Sequence, residues 1–424
     1  MGTRIWDRQG RSWAWTLLGS SLSLLPQSAA FILLARLLPV TDVGLLVALS
    51  ALTSIMGPFV GFGAGNLFIR NVSRNPNQTN EQWRRLAGTA LYSSLLISLV
   101  AIAAARMFIG IAVPMTALIA IVVGDLLFSR WIQLVGQAYQ GTEQFRLVTE
   151  VNLIASCTKL AAVLILLLLT PAARSISTYS LSYLLISFAA AITVHAGTRK
   201  RFGRIQSMHF GRVSDLREGL WFAISPCTQT INNDADKLIL SRFTTLENCG
   251  IYGIAYRVLT LVYLPVSALL TVTYPVFFRK GQEGVRHSTK FALRLLPLAL
   301  GYTIAAGFLL LAGAQMVPWV LGPKYAPSVE ILRQLAFLPM LKAIQYLFAD
   351  TLTGADQQRT RVALQMAVAI LNIIGNIVLV PRYGLQAAVG MTLVSDAALA
   401  LIFAVASFRL ARQRSQPQCG ALAI

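Results

Sequence analysis

Residues 219–243 read G-L-W-F-A-I-S-P-C-T-Q-T-I-N-N-D-A-D-K-L-I-L-S-R-F, and residues 251–278 read I-Y-G-I-A-Y-R-V-L-T-L-V-Y-L-P-V-S-A-L-L-T-V-T-Y-P-V-F-F. Each stretch is long enough to cross a hydrocarbon core, which needs ~20 helical residues. Ionisable residues nevertheless occur within them: Asp234, Asp236, Lys237 and Arg257. A charged side chain at such depth costs roughly 2.5 to 3.5 kcal/mol on insertion scales, so it usually faces a partner or a water-filled cavity. The two stretches therefore predict a membrane-spanning helix pair that lines a transport path.

The composition of the whole chain is that of a polytopic membrane protein. Of its 424 residues, 56% are hydrophobic and 12% are charged, whereas about a quarter of the residues are charged in soluble domains. The net charge of +20 is explained by cytoplasmic loops, which collect Lys and Arg as topology signals, and no nucleic-acid partner is expected. The four cysteines lack metal-ligand spacing, so neither a metal site nor a disulfide framework is expected.

Twelve apolar runs predict an all-α fold with about twelve transmembrane helices. The runs lie near residues 14–38, 44–68, 86–105, 111–131, 147–170, 176–197, 219–243, 250–278, 291–313, 329–353, 361–381 and 385–408.

The distribution of positive charge predicts how these helices are oriented. If the N-terminus is cytoplasmic, the cytoplasmic connections contain 25 Lys and Arg residues and the opposite connections contain five. Because Lys and Arg are retained on the cytoplasmic side, both termini are expected there.

The basic segment 198–218, T-R-K-R-F-G-R-I-Q-S-M-H-F-G-R-V-S-D-L-R-E, lies at the middle of the chain. As a cytoplasmic linker it separates an N-lobe of six spans, residues 1–197, from a C-lobe of six spans and a short cytoplasmic tail, residues 219–424. Six spans on each side indicate a duplicated bundle. Residues 34–44, L-A-R-L-L-P-V-T-D-V-G, and residues 240–250, L-S-R-F-T-T-L-E-N-C-G, agree with this, since both have Arg third and Gly eleventh.

Several segments resemble a known family. L-A-R-L-L-P-V-T-D-V-G-L-L from residue 34 and G-F-G-A-G-N-L-F-I-R at 61–70 resemble the opening hairpin of polysaccharide-export flippases of the O-antigen type. The stretches at 236–258, 274–278 (Y-P-V-F-F) and 381–390 (P-R-Y-G-L-Q-A-A-V-G) resemble later helices of that family. Its superfamily also holds multidrug and toxin extrusion (MATE) antiporters and lipid II flippases. Lipid II flippases usually have two further spans, which counts against that branch.

The resemblance implies a V-shaped, MATE-like pair of six-helix lobes in the bacterial cytoplasmic (inner) membrane. Such a protein moves an undecaprenyl-diphosphate-linked oligosaccharide, an O-antigen or exopolysaccharide repeat unit, to the outer leaflet by alternating access. In relatives, cations in the central cavity meet the anionic head group. The expected partners are this lipid-linked oligosaccharide and membrane lipids, with a glycan polymerase and chain-length machinery as further candidates. No cofactor is expected, and coupling to protons or sodium stays open.

Cations inside or near the spans are the candidate substrate-binding residues, because Lys and Arg are the natural counter-ions of a diphosphate. They are Lys237, Arg257, Lys159, Lys342 and Arg36. Asp234 and Asp236 are candidate charge partners. Asp234 precedes Lys237 by three residues, within salt-bridge reach on a helix, so Lys237 either pairs with Asp234 or faces the cavity. Arg257 either pairs with Asp236 or binds the substrate. For Lys159, substrate contact and an inter-helix bridge both stay open. Arg36 is expected to bridge to Asp42.

Ion coupling requires a group that binds a proton or a cation. Asp125, Asp350 and Asp396 lie inside predicted spans and are the candidates, and the sequence does not select among them. Asp350 is two helical turns from Lys342, too far for a direct pair, so each is expected to have another partner.

Two other functions remain as alternatives to a flippase. The first is a cation-coupled multidrug antiporter of the same superfamily, and the second is a membrane glycan polymerase or ligase. A transporter is favoured over an enzyme because neither a nucleophile elbow nor a phosphate-binding glycine loop is present. In addition, the longest predicted outside segment, 314–328, has Lys324 as its only charge.

Overall fold

The computed structural model of the protein describes residues 22–23, 25–110, 113–203 and 213–413. Throughout these ranges the secondary structure is helical, without a β-strand. The helices up to the middle of the chain are α1 (Leu25–Leu37), α2 (Val40–Met56), α3 (Ala64–Arg74), α4 (Thr79–Phe108), α5 (Met115–Gly141), α6 (Phe145–Leu168) and α7 (Ile176–Phe202). The remaining helices are α8 (Val213–Phe243), α9 (Leu246–Gln282), α10 (Val285–Gly313), α11 (Met316–Leu321), α12 (Ser328–Gln334), α13 (Leu338–Gly354), α14 (Gln358–Tyr383) and α15 (Leu385–Gln413).

These helices confirm the predicted all-α polytopic membrane fold. In the described ranges nine helices are long and apolar enough to cross a membrane, and ten if α12 and α13, which are bent by 46°, form one span. Pro339 lies in the first turn of α13, where its missing N–H leaves no helical bond unmade. The 31-residue helix α8 differs from the nine, because polar residues such as Asn232 and Asn233 interrupt its apolar sequence. The count of twelve spans stays a prediction.

The chain divides into two compact units, Met1–Thr230 and Ile231–Ile424, and the division lies within α8. The sequence places the boundary earlier, in the basic segment 198–218. In the structure, α7 and α8 extend into that segment from its two ends, and its centre, residues 204–212, lies outside the described residues. The assignment of two six-helix lobes stays a prediction.

The beginning of α8 belongs to the first unit because its backbone packs closely there. A Cβ atom on Gly219 would lie 1.9 Å from the carbonyl oxygen of Phe62, so only glycine permits this approach. Further along the helix, the Cys227 Sγ atom lies 3.6 Å from the carbonyl oxygen of Ile55.

Each unit is arranged around one helix. In the first unit α5 contacts α3, α6 and α7, and in the second α13 contacts α9, α10 and α15. The core of the second unit joins Phe277, Leu347, Phe348, Leu399 and Phe403. The candidate residue Asp125 lies on α5 and Lys342 lies on α13. Both charged residues therefore belong to the helix that contacts several others in its unit.

Close packing at one end of α13 gives a test of the fold. A Cβ atom on Gly281 would lie 2.0 Å from the carbonyl oxygen of Gly354, a backbone atom that cannot rotate away. We expect Gly281→Ala to lower the free energy of unfolding by about 1 to 3 kcal/mol, as overpacking does.

Gly301→Ala is the matched control, because no atom lies within 4 Å of the added Cβ. This substitution should leave stability unchanged or raise it by up to about 1 kcal/mol, since alanine is the better helix former. Thermal unfolding of both purified variants measures the difference, and a loss of stability of equal size in both would contradict the predicted contact.

Candidate functional site

The second unit contains a buried group of polar residues that we name the two-lysine cluster. It combines residues from four helices: Asn233, Asp234 and Lys237 of α8, Tyr256 of α9, Lys342 and Tyr346 of α13, and Asp396 of α15. On α8 and on α13 the members lie three or four residues apart, a spacing that places them on one helix face. The fold thus collects polar groups that are separated along the chain by long apolar runs.

Lys237 is held by its own helix and by one aromatic ring. Its Nζ atom contacts the Asp234 carboxylate and donates to the carbonyl oxygen of Asn233 at 2.8 Å. The same Nζ atom lies 3.8 Å from the centroid of the Tyr256 ring, a cation–π arrangement. The side chain of Lys237 is 8% exposed and that of Asp234 is 24% exposed. The predicted ion pair between Lys237 and Asp234 is therefore present in the structure.

Lys342 reaches the same place from α13. Its Nζ atom lies 3.2 Å from an oxygen of Asp396 and donates to the Asn233 Oδ1 atom at 2.7 Å. The side chains of Lys342 and Asp396 are 11% and 4% exposed. Asp396, a candidate for ion coupling, is thus the charge partner of a candidate substrate-binding lysine.

Asn233 and Tyr256 connect the two lysines. The Asn233 Oδ1 atom accepts hydrogen bonds from Lys342 and from the Tyr256 hydroxyl, the latter at 3.3 Å. The Tyr256 ring centroid lies 3.8 Å from one ammonium group and 5.7 Å from the other. Two cations from different helices therefore converge on one aromatic ring and one amide.

The described hydrogen-bond donors to Asp236 are neutral groups. One of its oxygens accepts a hydrogen bond from the backbone N–H of Lys237 at 2.8 Å, and the other contacts the Tyr252 hydroxyl and accepts from Thr392 at 3.1 Å. Asp236 is 2% exposed. Arg257, for which Asp236 is a candidate partner, lies half-buried next to Tyr256. Hydroxyl and amide donors therefore hold the Asp236 carboxylate in the described structure.

The other buried acid of the second unit, Asp350, lies near the end of α13. An oxygen of Asp350 lies 3.9 Å from the Arg361 guanidinium, and each side chain is 11% exposed. Arg361 also donates to the Thr353 hydroxyl at 2.6 Å. Asp350 and Lys342 thus have separate partners, as their spacing predicts.

The first unit holds a smaller polar site around Asp125. The Asp125 carboxylate accepts hydrogen bonds from the Tyr183 hydroxyl at 2.6 Å and from the Thr53 hydroxyl at 2.9 Å. The Lys159 Nζ atom lies 3.9 Å from the same carboxylate, with a side chain that is 45% exposed. Asp125 belongs to a π-helical turn, Gly124–Ser129, a distortion that is frequent at functional sites. For Lys159, an inter-helix contact is present.

Arg36 lies at the end of α1 and is exposed, while Asp42 lies half-buried in the first turn of α2. The bridge between them stays a prediction, and so does the role of Arg36 in substrate binding.

Uncharged members of these sites were not recognised from the sequence. They are Asn233, Tyr256, Tyr346, Tyr252, Thr392, Thr53 and Tyr183. A signal for Asn233 exists, because an amide next to Asp234 within an apolar run is costly unless it is hydrogen-bonded. The tyrosines carry no such signal, since Tyr is common at the ends and surfaces of membrane helices.

Comparison with solved structures defines the class of fold. The protein is similar to the inward-facing conformation of a multidrug resistance MATE family transporter of the MOP superfamily, with a TM-score of 0.68 and 13% identity. The similarity covers 93% of this chain and 96% of that transporter. Over 96% of both chains the protein is similar to a MOP superfamily transporter from Pyrococcus furiosus Vc1 (DSM3638), with a TM-score of 0.65 and 12% identity. Reverse polarity of the binding pocket suggests a different function for that transporter. The protein thus has the fold of MOP superfamily transporters.

Sequence comparison gives the family. The family model described as "Polysaccharide biosynthesis protein" matches residues 10–280, more than half of the chain, so the chain belongs to this family. It is also 26% identical over 185 residues to the teichuronic acid biosynthesis protein TuaB of Bacillus subtilis (strain 168). That match covers 40% of this chain and 36% of the length of TuaB. The resemblance found in the sequence is confirmed at the level of the family.

The Lys342–Asp396 pair yields a prediction about stability. Asp396→Asn keeps the shape of the side chain but leaves the buried Lys342 ammonium without its carboxylate. Removing one partner of a buried pair strands an uncompensated charge, so we expect the free energy of unfolding to fall by about 3 to 5 kcal/mol.

The control is Glu150→Gln, which breaks the exposed pair between Arg146 and Glu150, 76% and 48% exposed. An exposed pair contributes less than about 1 kcal/mol, so this variant should unfold close to the wild-type temperature. Thermal unfolding in detergent compares the two, and similar unfolding temperatures for both variants would show that the Lys342–Asp396 pair is not buried as described.

Proposed function

We propose that the protein is a flippase that moves an undecaprenyl-diphosphate-linked oligosaccharide from the cytoplasmic to the outer leaflet of a bacterial inner membrane. The observation that carries the proposal is the convergence of Lys237 and Lys342 on Tyr256 and Asn233, in a chain of the polysaccharide biosynthesis family. Two ammonium groups in a buried, polar site suit a ligand with about two negative charges. Arg257, Lys159 and Arg36 are proposed as further substrate contacts.

The two lysines of the cluster already form ion pairs, and a bound diphosphate would have to compete with them. Lys237 contacts Asp234 and Lys342 contacts Asp396, so each ammonium already has a carboxylate beside it. A diphosphate would have to replace these carboxylates as the counter-charge. A carboxylate deprived of its lysine in a low-dielectric site takes up a proton more readily. Binding of the anion and uptake of protons would then be linked at one site.

The proposed flippase has a defined orientation in the membrane and expected protein partners. Both termini would be cytoplasmic, as the distribution of Lys and Arg predicts. A glycan polymerase and chain-length machinery would receive the exported unit.

Removal of the Lys342–Asp396 pair separates a transport role of Lys342 from a structural one. Lys342→Ala alone strands Asp396, so loss of transport in that variant would not distinguish the two roles. The double variant Lys342→Ala with Asp396→Ala removes both charges together. We expect it to recover thermal stability relative to Lys342→Ala but to move a diphosphate-linked lipid at least about ten-fold more slowly than wild type, because the anion loses a buried counter-ion.

The measurement uses proteoliposomes and a fluorescent polyprenyl-diphosphate oligosaccharide, whose arrival in the outer leaflet is followed with a membrane-impermeant quencher. Arg146→Gln is the control, because it removes an exposed cation of the first unit, whereas Lys342 and Asp396 belong to the second unit. Wild-type transport by the double variant would show that Lys342 only neutralises Asp396, and would remove it from the binding site.

A second candidate function is a cation-coupled multidrug antiporter, for which the site around Asp125 is the supporting observation. The Asp125 carboxylate is 15% exposed and has two hydroxyl donors and one ammonium group near it, a set that can bind or release a cation. An antiporter predicts efflux of organic cations by the same proteoliposomes, whereas the flippase predicts none.

Asp125 also gives a prediction within the flippase proposal. Asp125→Asn keeps the shape of the side chain, and its amide can accept from one of the two hydroxyls and donate to the other, but it cannot bind a proton. If Asp125 couples transport to an ion gradient, the variant should bind the lipid as wild type does and lose at least about ten-fold of the gradient-driven rate. Glu150→Gln is the matched control, and an unchanged gradient dependence in Asp125→Asn would exclude Asp125 from coupling.

A further inference from the structure

A cavity in the first unit lies between the turn after α2, the helix α3 and the start of α4. Its enclosed volume is about 30 Å³, and the open space at its mouth extends this to about 370 Å³. Five of the lining residues are apolar and together are named the apolar wall: Phe62, Ala64, Leu67, Phe68 and Leu86. Four polar side chains also line the cavity and are named the polar wall: Asn71, Gln82, Arg85 and Thr89. The cavity therefore has two chemically different walls, as a site for an amphiphile requires.

One residue of the polar wall, Arg85, carries a charge. Between residues 64 and 100 the chain contains four arginines and one acid, Glu81. Arg85 contacts Glu81, but Glu81 is 59% exposed whereas Arg85 is 23% exposed and faces the cavity. Asn71 accepts from the Arg70 guanidinium at 3.3 Å and donates to Gln82 at 3.2 Å. The mouth of the cavity thus offers a guanidinium group and amide groups, which are the donors that bind a phosphate.

An exposed apolar stripe lies further along α4, the helix that contributes Arg85 to the cavity. Tyr92, Leu96 and Leu99 are 50%, 56% and 67% exposed. Arg85 precedes Tyr92 by seven residues, and the following members come four and three residues later, so all four lie on one face of the helix. In a membrane this stripe faces acyl chains. A lipid chain lying along it would bring its headgroup to Arg85.

The turn that forms the floor of the cavity is held in a fixed conformation. Gly61, Phe62 and Gly63 have φ angles of 78°, 44° and 72°, all in the left-handed region. Phe62 is strained there, since a side chain disfavours this region. The Gly61 backbone N–H donates to the buried Ser93 hydroxyl of α4 at 2.7 Å. This contact fixes the turn, and with it Phe62, against the helix that carries Arg85.

We propose that this cavity is a binding site for an anionic phospholipid of the surrounding membrane. The phosphate headgroup contacts Arg85 and the amides of Asn71 and Gln82, and one acyl chain follows the stripe from Tyr92 to Leu99. A phosphate without an acyl chain leaves the apolar wall and the stripe uncovered, which favours the lipid over a free ion. The site lies wholly within the first unit and does not depend on the proposed transport of a glycan.

The test measures binding of phosphatidylglycerol and phosphatidylcholine to the full-length protein in detergent by native mass spectrometry. Arg85→Gln removes the guanidinium, and Ala64→Leu fills the cavity without changing charge. Arg146→Gln is the matched control, because Arg146 also pairs with a glutamate one helical turn away but is 76% exposed. We expect Arg85→Gln to bind phosphatidylglycerol about five-fold more weakly than the control, the factor contributed by one cation at an anionic lipid surface. Ala64→Leu should also weaken binding relative to the control, because the larger side chain occupies space in the cavity.

Each other outcome would overturn the proposal. Equal weakening in Arg146→Gln would indicate general attraction between a basic protein and an anionic lipid, and unchanged binding in Ala64→Leu would show that the cavity is not used. Displacement of the lipid by inorganic phosphate would indicate a site for the free ion, and displacement by farnesyl diphosphate one-for-one would assign the site to a polyprenyl diphosphate. If Ala64→Leu does not fold, Gln82→Leu alters the polar wall of the same cavity and provides the second variant.

Discussion

The second unit depends on compensation of charge inside an apolar helix bundle. Lys342 and Asp396, 11% and 4% exposed, belong to different helices and lie 3.2 Å apart. Either charge alone would be strongly destabilising in this position, because its counter-charge and its hydration would both be missing. The pair therefore requires α13 and α15 to pack in one register, and Asn233 extends the same requirement to α8 through its hydrogen bond to Lys342.

The buried acids are stabilised in different ways, and the difference has consequences for what each can do. Asp396 has an ammonium partner, whereas Asp236 is surrounded by hydroxyl and amide donors from Tyr252, Thr392 and its own helix. Hydrogen bonds to a carboxylate stabilise its charge without offering a cation to exchange. Asp236 is thus suited to holding helices in place. Under the proposed function, Asp396 would exchange its partner, because an incoming anion would compete for Lys342.

The sequence predicted the membrane fold and the local pairing but not the pairing across helices. Apolar runs of sufficient length indicate helices, and Asp234 lies three residues from Lys237, so both features depend on local spacing. The contact between Lys342 and Asp396 joins residues that are 54 positions apart, and no periodicity reports it. Tyr256 was missed for the same reason, since its role arises from packing between α9 and the helices beside it. The division at Thr230 inside α8 is likewise a property of tertiary contacts.

The pairing also shows why binding cations and coupling acids cannot be treated as separate sets. Sequence reasoning assigns Lys342 to substrate and Asp396 to ion coupling, yet the two form one ion pair. If an anion takes Lys342 from Asp396, the acid loses its counter-charge and gains affinity for a proton. Conversely, a proton on Asp396 releases Lys342 for the anion. By linkage the two effects are equal in free energy, so under the proposed function a single buried pair would couple proton uptake to anion binding.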